Sequence, residues 1–599
     1  MRNIKLRLKE IVSILNLVCK NAPFQFLFKL FVVIIIAILR PLNVYFFQNV
    51  IDNIVQSEAG ATLNSEVLLW LCLFCISTLI VINVNFINNI QNISLKKKFN
   101  IKFLNSMLYK YKKIDYSCFE NTEVHNIITR MGDNLDKTII ELFLRIIDIT
   151  SIMVSIIGYI IIFLQVSVWF AIIFFVVLFI VFILEFKAMN KMNTMLYNQT
   201  EDERKLNYLQ HILSDKHSLL ELKIFCSISY ILNMWNKKAK EILNVRVKTT
   251  ISSQKYFALN CLCTIIWISI MLIVLINYYE KDYITLGLFI SLIGSASTLL
   301  SIIESLSYYI SDLSQNLLCI DYYNKFINLP EDHKYNEKEY DFEKPEIVFK
   351  NVSFTYPGTT QKILDNISFS INYNEKVALV GKNGSGKTTI IKLLCKLYKP
   401  DSGEILVGGI NINNIDRNSL AKIYSVVFQD YANYALTLRE NIAVGDIKKL
   451  NNDDSIIKSL TFGLKNMNIS LDQNLGKIDE NGMDLSKGQW QQVAIARARI
   501  VENNFIVLDE PTASLDPIAE CELYNSFLEV LNDRGCIIIS HRLASAKLCD
   551  KIIVIHGGQI VEVGTHTELL KHKNIYCNMF KTQSEWYSKG EKYEKNKNC

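Results

Sequence analysis

Cysteine and histidine are present, but neither is arranged to staple a fold or hold a metal. The 14 cysteines show no framework spacing. The one C-x-x-C, Cys72 and Cys75, falls inside an apolar run, with neither the strand context of a redox motif nor a second pair for zinc. The two are expected to be small buried hydrophobes. The eight histidines do not cluster with carboxylates or cysteines, so no structural metal site is expected. A cleavable signal peptide is also missing: the first apolar run begins near Phe24 and lacks a small-residue cleavage site. Charge of one sign is scarce. A formal charge of +6 over 599 residues gives no argument for a nucleic-acid partner and fits basic loops beside a membrane.

Apolar sequence, by contrast, is abundant in the first half. Half of all residues are hydrophobic, yet the mean hydropathy is only +0.20, as expected of a membrane half joined to a soluble half. Six runs near the roughly 20 residues needed to cross hydrocarbon cover Phe24–Tyr45, Val67–Ile87, Ile147–Leu164, Val166–Phe186, Tyr256–Tyr278 and Ile284–Ser307. Residues 1–23 carry Arg2, Lys5, Arg7, Lys9 and Lys20, whereas the loop from Asp52 to Glu66 has no lysine or arginine. The next loop is basic again (Lys96, Lys97, Lys98, Lys102), which places both termini in the cytoplasm. The two long inner loops read as helical extensions of the spans, projecting roughly 35–50 Å. Their candidate tips are Asp115–Asn121 and Leu219–Phe225. Two ionisable residues fall within spans, Arg40 and Glu304. Counting along the helices puts them at different depths, so direct pairing is not expected; Arg40 snorkels outward or faces a wet cavity.

A charged segment, Asn328–Lys344, reads as a linker, after which the pattern changes to short strands and glycine turns. The strand Val377–Val380 runs into G-K-N-G-S-G-K-T-T, Gly381–Thr389, and then into helical I-I-K-L-L. This is the strand–loop–helix context of a P-loop. Backbone N–H groups of Gly381, Lys382, Asn383, Gly384, Ser385 and Gly386 can wrap phosphates, and the helix N-terminus adds its positive end. Lys387 can reach the β- and γ-phosphates, and Thr388 can ligate Mg²⁺. Downstream, N-F-I-V-L-D-E ends a second apolar strand in Asp509 and Glu510, suited to Mg²⁺ and to the attacking water respectively.

With these motifs placed, the whole chain resembles the ATP-binding cassette exporters. F-T-Y-P puts Tyr356 at the family's adenine-stacking aromatic, and V-V-F-Q-D-Y supplies Gln429 at the Mg²⁺-ligating Q-loop. L-S-K-G-Q, Leu485–Gln489, stands at the signature motif that closes on the partner's ATP, through Ser486, Lys487, Gly488 and Gln489. A-S-L-D-P gives Asp516 of the D-loop, and I-I-S-H-R-L gives His541, the switch histidine on the γ-phosphate. Lys487 replaces the family's first signature glycine, and Asn374 replaces the glycine of the usual glycine–glutamate pair. Asparagine tolerates left-handed backbone and helix-forming lysine needs no unusual backbone, so neither departure is expected to cost function.

The resemblance implies a fold of a six-span α-helical membrane domain (24–327), after a short cytoplasmic segment (1–23). It is followed by a linker (328–344), an α/β P-loop cassette (345–585) and a charged tail (586–599). It implies a half-transporter in the cytoplasmic membrane that pairs with a second copy or a similar partner and uses ATP and Mg²⁺, with the two loop tips near the coupling helices. F-Q-D-Y-A-N-Y, G-Q-W-Q-Q and D-E-P-T-A-S-L-D-P-I-A-E resemble the cassettes of bacterial lantibiotic and bacteriocin-type peptide exporters. About 23 residues precede the first span, too few for the protease domain of some relatives. Peptide-modifying enzymes and a separate leader protease are therefore implied as accessory partners. Lipid or multidrug export, and an ATP-gated regulator that does not pump, are the alternatives; the intact Glu510 and His541 speak against the last.

Overall fold

The computed structural model describes residues 2–56, 65–131, 134–332, 337–467, 469–477, 480–510, 534–540 and 543–583. It divides into two units, Met1–Lys113 with Glu123–Leu329, and Ile114–Thr122 with Pro330–Cys599.

Among its described residues the first unit is helical: α1 (Arg2–Asn21), α2 (Pro23–Gln56), α3 (Ser65–Lys113), α4 (Thr122–Met131), α5 (Leu135–Leu164), α6 (Val168–Ser214), α7 (Lys216–Ile224), α8 (Ile228–Glu280) and α9 (Leu286–Ile327). Six of these are long and apolar enough to span a membrane. The inner loops continue the spans as helix, as the sequence predicts. α3 alone runs 49 residues, roughly 74 Å at the helical rise. Where the loops turn, short elements form. A 3₁₀ turn at Tyr116–Glu120 is capped by Asp115, which accepts from Ser117 N at 2.9 Å, and α7 is capped by Asp215 in the same way. Pro41 lies inside α2, and Gly158 of α5 makes room for it: a β-carbon there would meet Pro41 Cγ at 2.4 Å. The expectation that Cys72 and Cys75 are buried is wrong. Both are exposed on α3, whose most apolar stretch is only 11% buried within the protein. Such a face is apolar because hydrocarbon, not protein, is its solvent.

Arg40 lines a cavity of about 590 Å³ with Asp148, Tyr159 and the α9 hydroxyls of Ser291, Ser295 and Thr298. Glu304 is not among that cavity's residues and lines a different one with Glu185. The two charges line different cavities, but depth is not the reason. Arg40 shares its cavity with Ser301, Ser305 and Tyr309, which bracket Glu304 along α9, so the depth count is wrong. It is the opposite facing of α9 residues that separates the charges.

The second unit carries two sheets. A four-stranded antiparallel sheet has the order β2–β1–β4–β5, from β1 (Ile347–Thr355), β2 (Lys362–Ile371), β4 (Ser402–Val407) and β5 (Ile410–Asn411). A six-stranded sheet has the order β10–β9–β3–β8–β7–β6, with β3 (Lys376–Gly381), β6 (Tyr424–Val427), β7 (Phe505–Asp509), β8 (Gly535–Ile539), β9 (Lys551–His556) and β10 (Gln559–Gly564). All of its pairings are parallel except β10 on β9. Its strands β7 and β8 are buried along their full length, the mark of a parallel sheet covered on both faces. Among the described residues the helices are α10 (Lys387–Leu394), α11 (Arg417–Ile423), α12 (Leu438–Ala443), α13 (Asp453–Ser459), α14 (Phe462–Asn466) and α15 (Lys487–Arg499), with two more at Leu543–Ala546 and His566–His572. Helices α12 to α15 share a small core of their own, centred on Trp490, Val493 and Leu438.

Candidate nucleotide site and its coupling segment

Ligands of open α/β sheets sit beyond the carboxyl ends of the strands, and the register brings the predicted residues there. Leu379 of β3 and Asp509 of β7 both pair with Ile539 of β8, so the acidic strand end and the start of the P-loop are level. Gly386 has φ +102°, open to glycine, and a β-carbon there would meet Leu364 Cδ2 at 2.5 Å. As N-cap of α10 it supplies no side-chain cap, which leaves the first N–H groups of the helix available. Ser385 Oγ is buried with no partner, and Lys387, 5% exposed, donates to the carbonyls of Gly381 and Lys382 at 3.0 Å each. Burial lowers the Lys387 pKa, offset in part by Glu510 and Asp509. A loop with an unmet hydroxyl, open amides and a lysine folded onto its own carbonyls is built for an anion.

Tyr356, Asn383, Gly384, Gly386, Lys387, Thr388, Thr389, Gln429 and Glu510 line one cavity of about 480 Å³. The Tyr356 hydroxyl and Thr389 Oγ1 are 3.1 Å apart, which fixes the ring at the mouth. Asp509 is 1% exposed, and neither carboxylate oxygen has a hydrogen bond of good geometry. Burial raises its pKa to about 6, moderated by the nearby Thr388 hydroxyl and raised further by Glu510. An orphaned buried carboxylate beside Thr388 fits Mg²⁺: hard oxygen ligands, with room for water. Glu510 has φ +50°, a left-handed backbone that costs a residue with a β-carbon about 1–2 kcal/mol, and its N–H bonds Ile539 O at 2.9 Å. Asn374 also takes a left-handed backbone, φ +61°, where asparagine stands in for glycine.

Ser486 is the N-cap of α15 in a capping box. Its Oγ accepts from Gln489 N at 3.3 Å, and Gln489 Oε1 accepts from Ser486 N at 2.7 Å. Lys487 is the first helical residue, exposed and without positive φ, so no glycine is demanded there. Its carbonyl accepts from Tyr431 Oη at 2.6 Å. Asp516 and His541 lie outside the described residues.

Sequence reading missed a cluster beside Tyr356. Lys392 stands over the rings of Tyr356 and Tyr398, at 5.3 and 5.8 Å, and its Nζ donates to Glu120 Oε1 at 2.9 Å. Glu120 belongs to the 3₁₀ turn at the tip of the first long loop. Tyr116 of that turn packs edge-on against Tyr398, which packs edge-on against Tyr356. The Tyr398 hydroxyl faces the Glu120 carboxylate outside good hydrogen-bond geometry. Burial alone would raise the Glu120 pKa; Tyr398 and Lys392 together hold it below the usual value. A ladder of side chains thus runs from the ring at the nucleotide cavity to the loop tip. Its partners are 272 residues apart, so no local spacing could signal it.

A P-loop, an acidic strand end level with it and a capped signature helix, on a chain with six spanning helices, define an ATP-driven membrane protein. Residues 26–303 match the ABC transporter transmembrane region and residues 364–513 the ABC transporter ATP-binding domain. The subtilin transport ATP-binding protein SpaT of Bacillus subtilis is 31% identical over 97% of the chain and 96% of its own length. The nisin transport ATP-binding protein NisT of Lactococcus lactis is 27% identical over 92% and 91%. An ATP-dependent lipid A-core flippase of Dechloromonas aromatica is 28% identical over 66% and 67%. A bacterial Atm1-family ABC exporter solved with ATP bound superposes with a TM-score of 0.74 over 96% of this chain and 98% of that one, at 21% identity, and shares the fold. The chain belongs to the ABC transporter family, as an exporter half-transporter that hydrolyses ATP to drive transport and acts as a dimer.

Proposed function

We propose that the protein exports a modified peptide of the lantibiotic or bacteriocin-precursor class across the cytoplasmic membrane, as a dimer with itself or a similar half-transporter. One observation carries the substrate class. Two relatives that match along more than nine-tenths of the chain, membrane half included, are named for subtilin and nisin transport. A lipid A-core flippase with higher identity, 38%, matches over only 40% of it. Peptide-modifying enzymes act before export and a leader protease after it.

In this reading the basic loops keep both termini and the nucleotide unit in the cytoplasm. Tyr356 stacks on adenine, the amides of Gly381–Thr389 cradle the phosphates, and Lys387 leaves its loop carbonyls for the β- and γ-phosphates. Thr388, Gln429 and Asp509 would hold Mg²⁺, which neutralises phosphate charge when bound. Glu510 orients the attacking water and His541 contacts the γ-phosphate. Ser486, Gly488 and Gln489, with Lys487 beside them, present the N-terminus of α15 to ATP held by the partner; Asp516 stands in the D-loop. ATP favours the closed cassette pair, segments 115–121 and 219–225 carry the motion to the spans, and hydrolysis resets it. A screen of ATPase stimulation in lipid nanodiscs tests the substrate class. Lantibiotic-type precursor peptides should stimulate at micromolar concentration; stimulation by lipid A-core and by no peptide would overturn the reading.

A further inference from the structure

Glu185 of α6, Asn260 of α8 and Glu304 of α9 line one cavity of about 380 Å³. By helical rise, Glu185 and Glu304 lie about 26–27 Å from the starts of their helices, and Asn260 about 30 Å from the end of α8. The three are therefore level, at the cytoplasmic-leaflet end of the spans in the orientation proposed above. Glu185 is 6% exposed and accepts one hydrogen bond, from Asn260 Nδ2 at 2.8 Å. Asn260 is 5% exposed, and its Oδ1 has no partner at all. Glu304 is exposed at the open side, close enough for its charge to oppose that of Glu185.

Buried carboxylates within a span are expensive unless a positive group meets them. Among the described residues that line this cavity none is basic. Besides Cys261 and Thr264, the rest of the wall is Phe257, Met189, Val181 and Leu300, apolar surface that would cover an alkyl stem. Two carboxylates and an orphaned carbonyl oxygen at the end of an apolar slot are complementary to a primary ammonium or a guanidinium, with the Phe257 ring as an additional cation-binding face. We propose that Glu185, Asn260 and Glu304 form the subsite that takes a lysine or arginine side chain of the cargo. This identification of the ligand as cargo rests on the peptide-export reading; the cation site itself does not.

The test uses the full-length protein in lipid nanodiscs and two readouts. In the first, a carbodiimide labels membrane carboxylates and mass spectrometry locates the adducts at Glu185 and Glu304. Hexylguanidine, whose guanidinium does not attack the activated carboxyl, should protect both residues, and hexanol neither; equal protection by hexanol, or none by the guanidinium, overturns the cation site. In the second, a lysine-bearing amphipathic peptide is compared with its norleucine analogue in the wild type, Glu304→Gln, Glu185→Gln and Glu304→Asp. The wild type should bind the lysine peptide about tenfold more tightly, the Gln variants should lose that preference, and Glu304→Asp should retain most of it. A preference unchanged in both Gln variants overturns the proposal. Protection by the guanidinium without response to any peptide would instead sink the peptide reading and leave the cation site standing.

Discussion

Lys392 is the residue whose removal should separate ATP turnover from transport. Its ammonium makes an ion pair with Glu120 at 2.9 Å while lying over Tyr356 and Tyr398. The side chains are 22% and 38% exposed, so solvent screening holds the pair to about 1 kcal/mol, with about 0.5–1 kcal/mol more from the ring contacts. A coupling energy of about 1 kcal/mol corresponds to roughly a fivefold change in the balance between two states. The perturbations are Lys392→Met, Glu120→Gln and the double variant, and the assay is the ratio of peptide-stimulated to basal ATPase in nanodiscs. Each single variant should lower the ratio about fivefold, and the double variant should be little worse than either, because one interaction is being removed. Two opposed shifts set the pH window. Burial and its offsets leave Glu120 below the usual carboxylate range and Lys392 above the usual lysine range. The ion pair therefore persists across neutral pH and is lost as pH falls through the depressed Glu120 value or rises through the raised Lys392 value. Effects that add in the double variant, or a stimulation ratio unchanged in both singles, would refute the ladder as the path from loop tip to nucleotide.

Lys487→Gly should leave ATP turnover within about threefold, since residue 487 has ordinary helical backbone and an exposed side chain; a hundredfold change would show that the lysine acts on phosphate. Gly158→Ala should destabilise the membrane unit by about 1–3 kcal/mol, because its β-carbon would overlap Pro41; thermal unfolding in detergent reads the shift, and an unchanged midpoint would contradict the packing. Asp509, raised to about 6, must lose its proton to bind a cation, so Mg·ATP binding at pH 6 should release about half a proton more than at pH 8. Calorimetry in buffers of different ionisation enthalpy measures it, and equal release at both pH values would contradict the shift.

The nucleotide site was legible because its chemistry is written in short spacing. A strand followed by glycines and a lysine within nine residues leaves one geometry, whereas the capping box of Ser486 and Gln489, which starts α15 at Lys487, was found only in the fold. The loop tips were legible because two long inner loops that continue the spans as helix have to turn somewhere; the Asp115 cap that makes the first turn came from the fold. Hydropathy gave the spans but not their facing. It counts Cys72 and Cys75 as apolar without saying whether lipid or protein surrounds them, and it gave no warning that α1 forms with Ile14 and Val18 buried. The Lys392–Glu120 pair and the Glu185–Asn260–Glu304 cavity join residues from distant helices, which only the fold brings together. One signal was available: Glu185 is a lone carboxylate closing an otherwise apolar run, which in a span is a functional hypothesis by default.

The central claim, ATP-driven peptide export, is tested most directly in inside-out vesicles loaded with no cargo and given a labelled precursor peptide and Mg·ATP outside. The wild type should accumulate peptide in the lumen, and Glu510→Gln, binding ATP but unable to position the attacking water, should lose ATPase and accumulation together by about a hundredfold or more. Accumulation that continues unchanged in Glu510→Gln after its ATPase is gone would contradict the account.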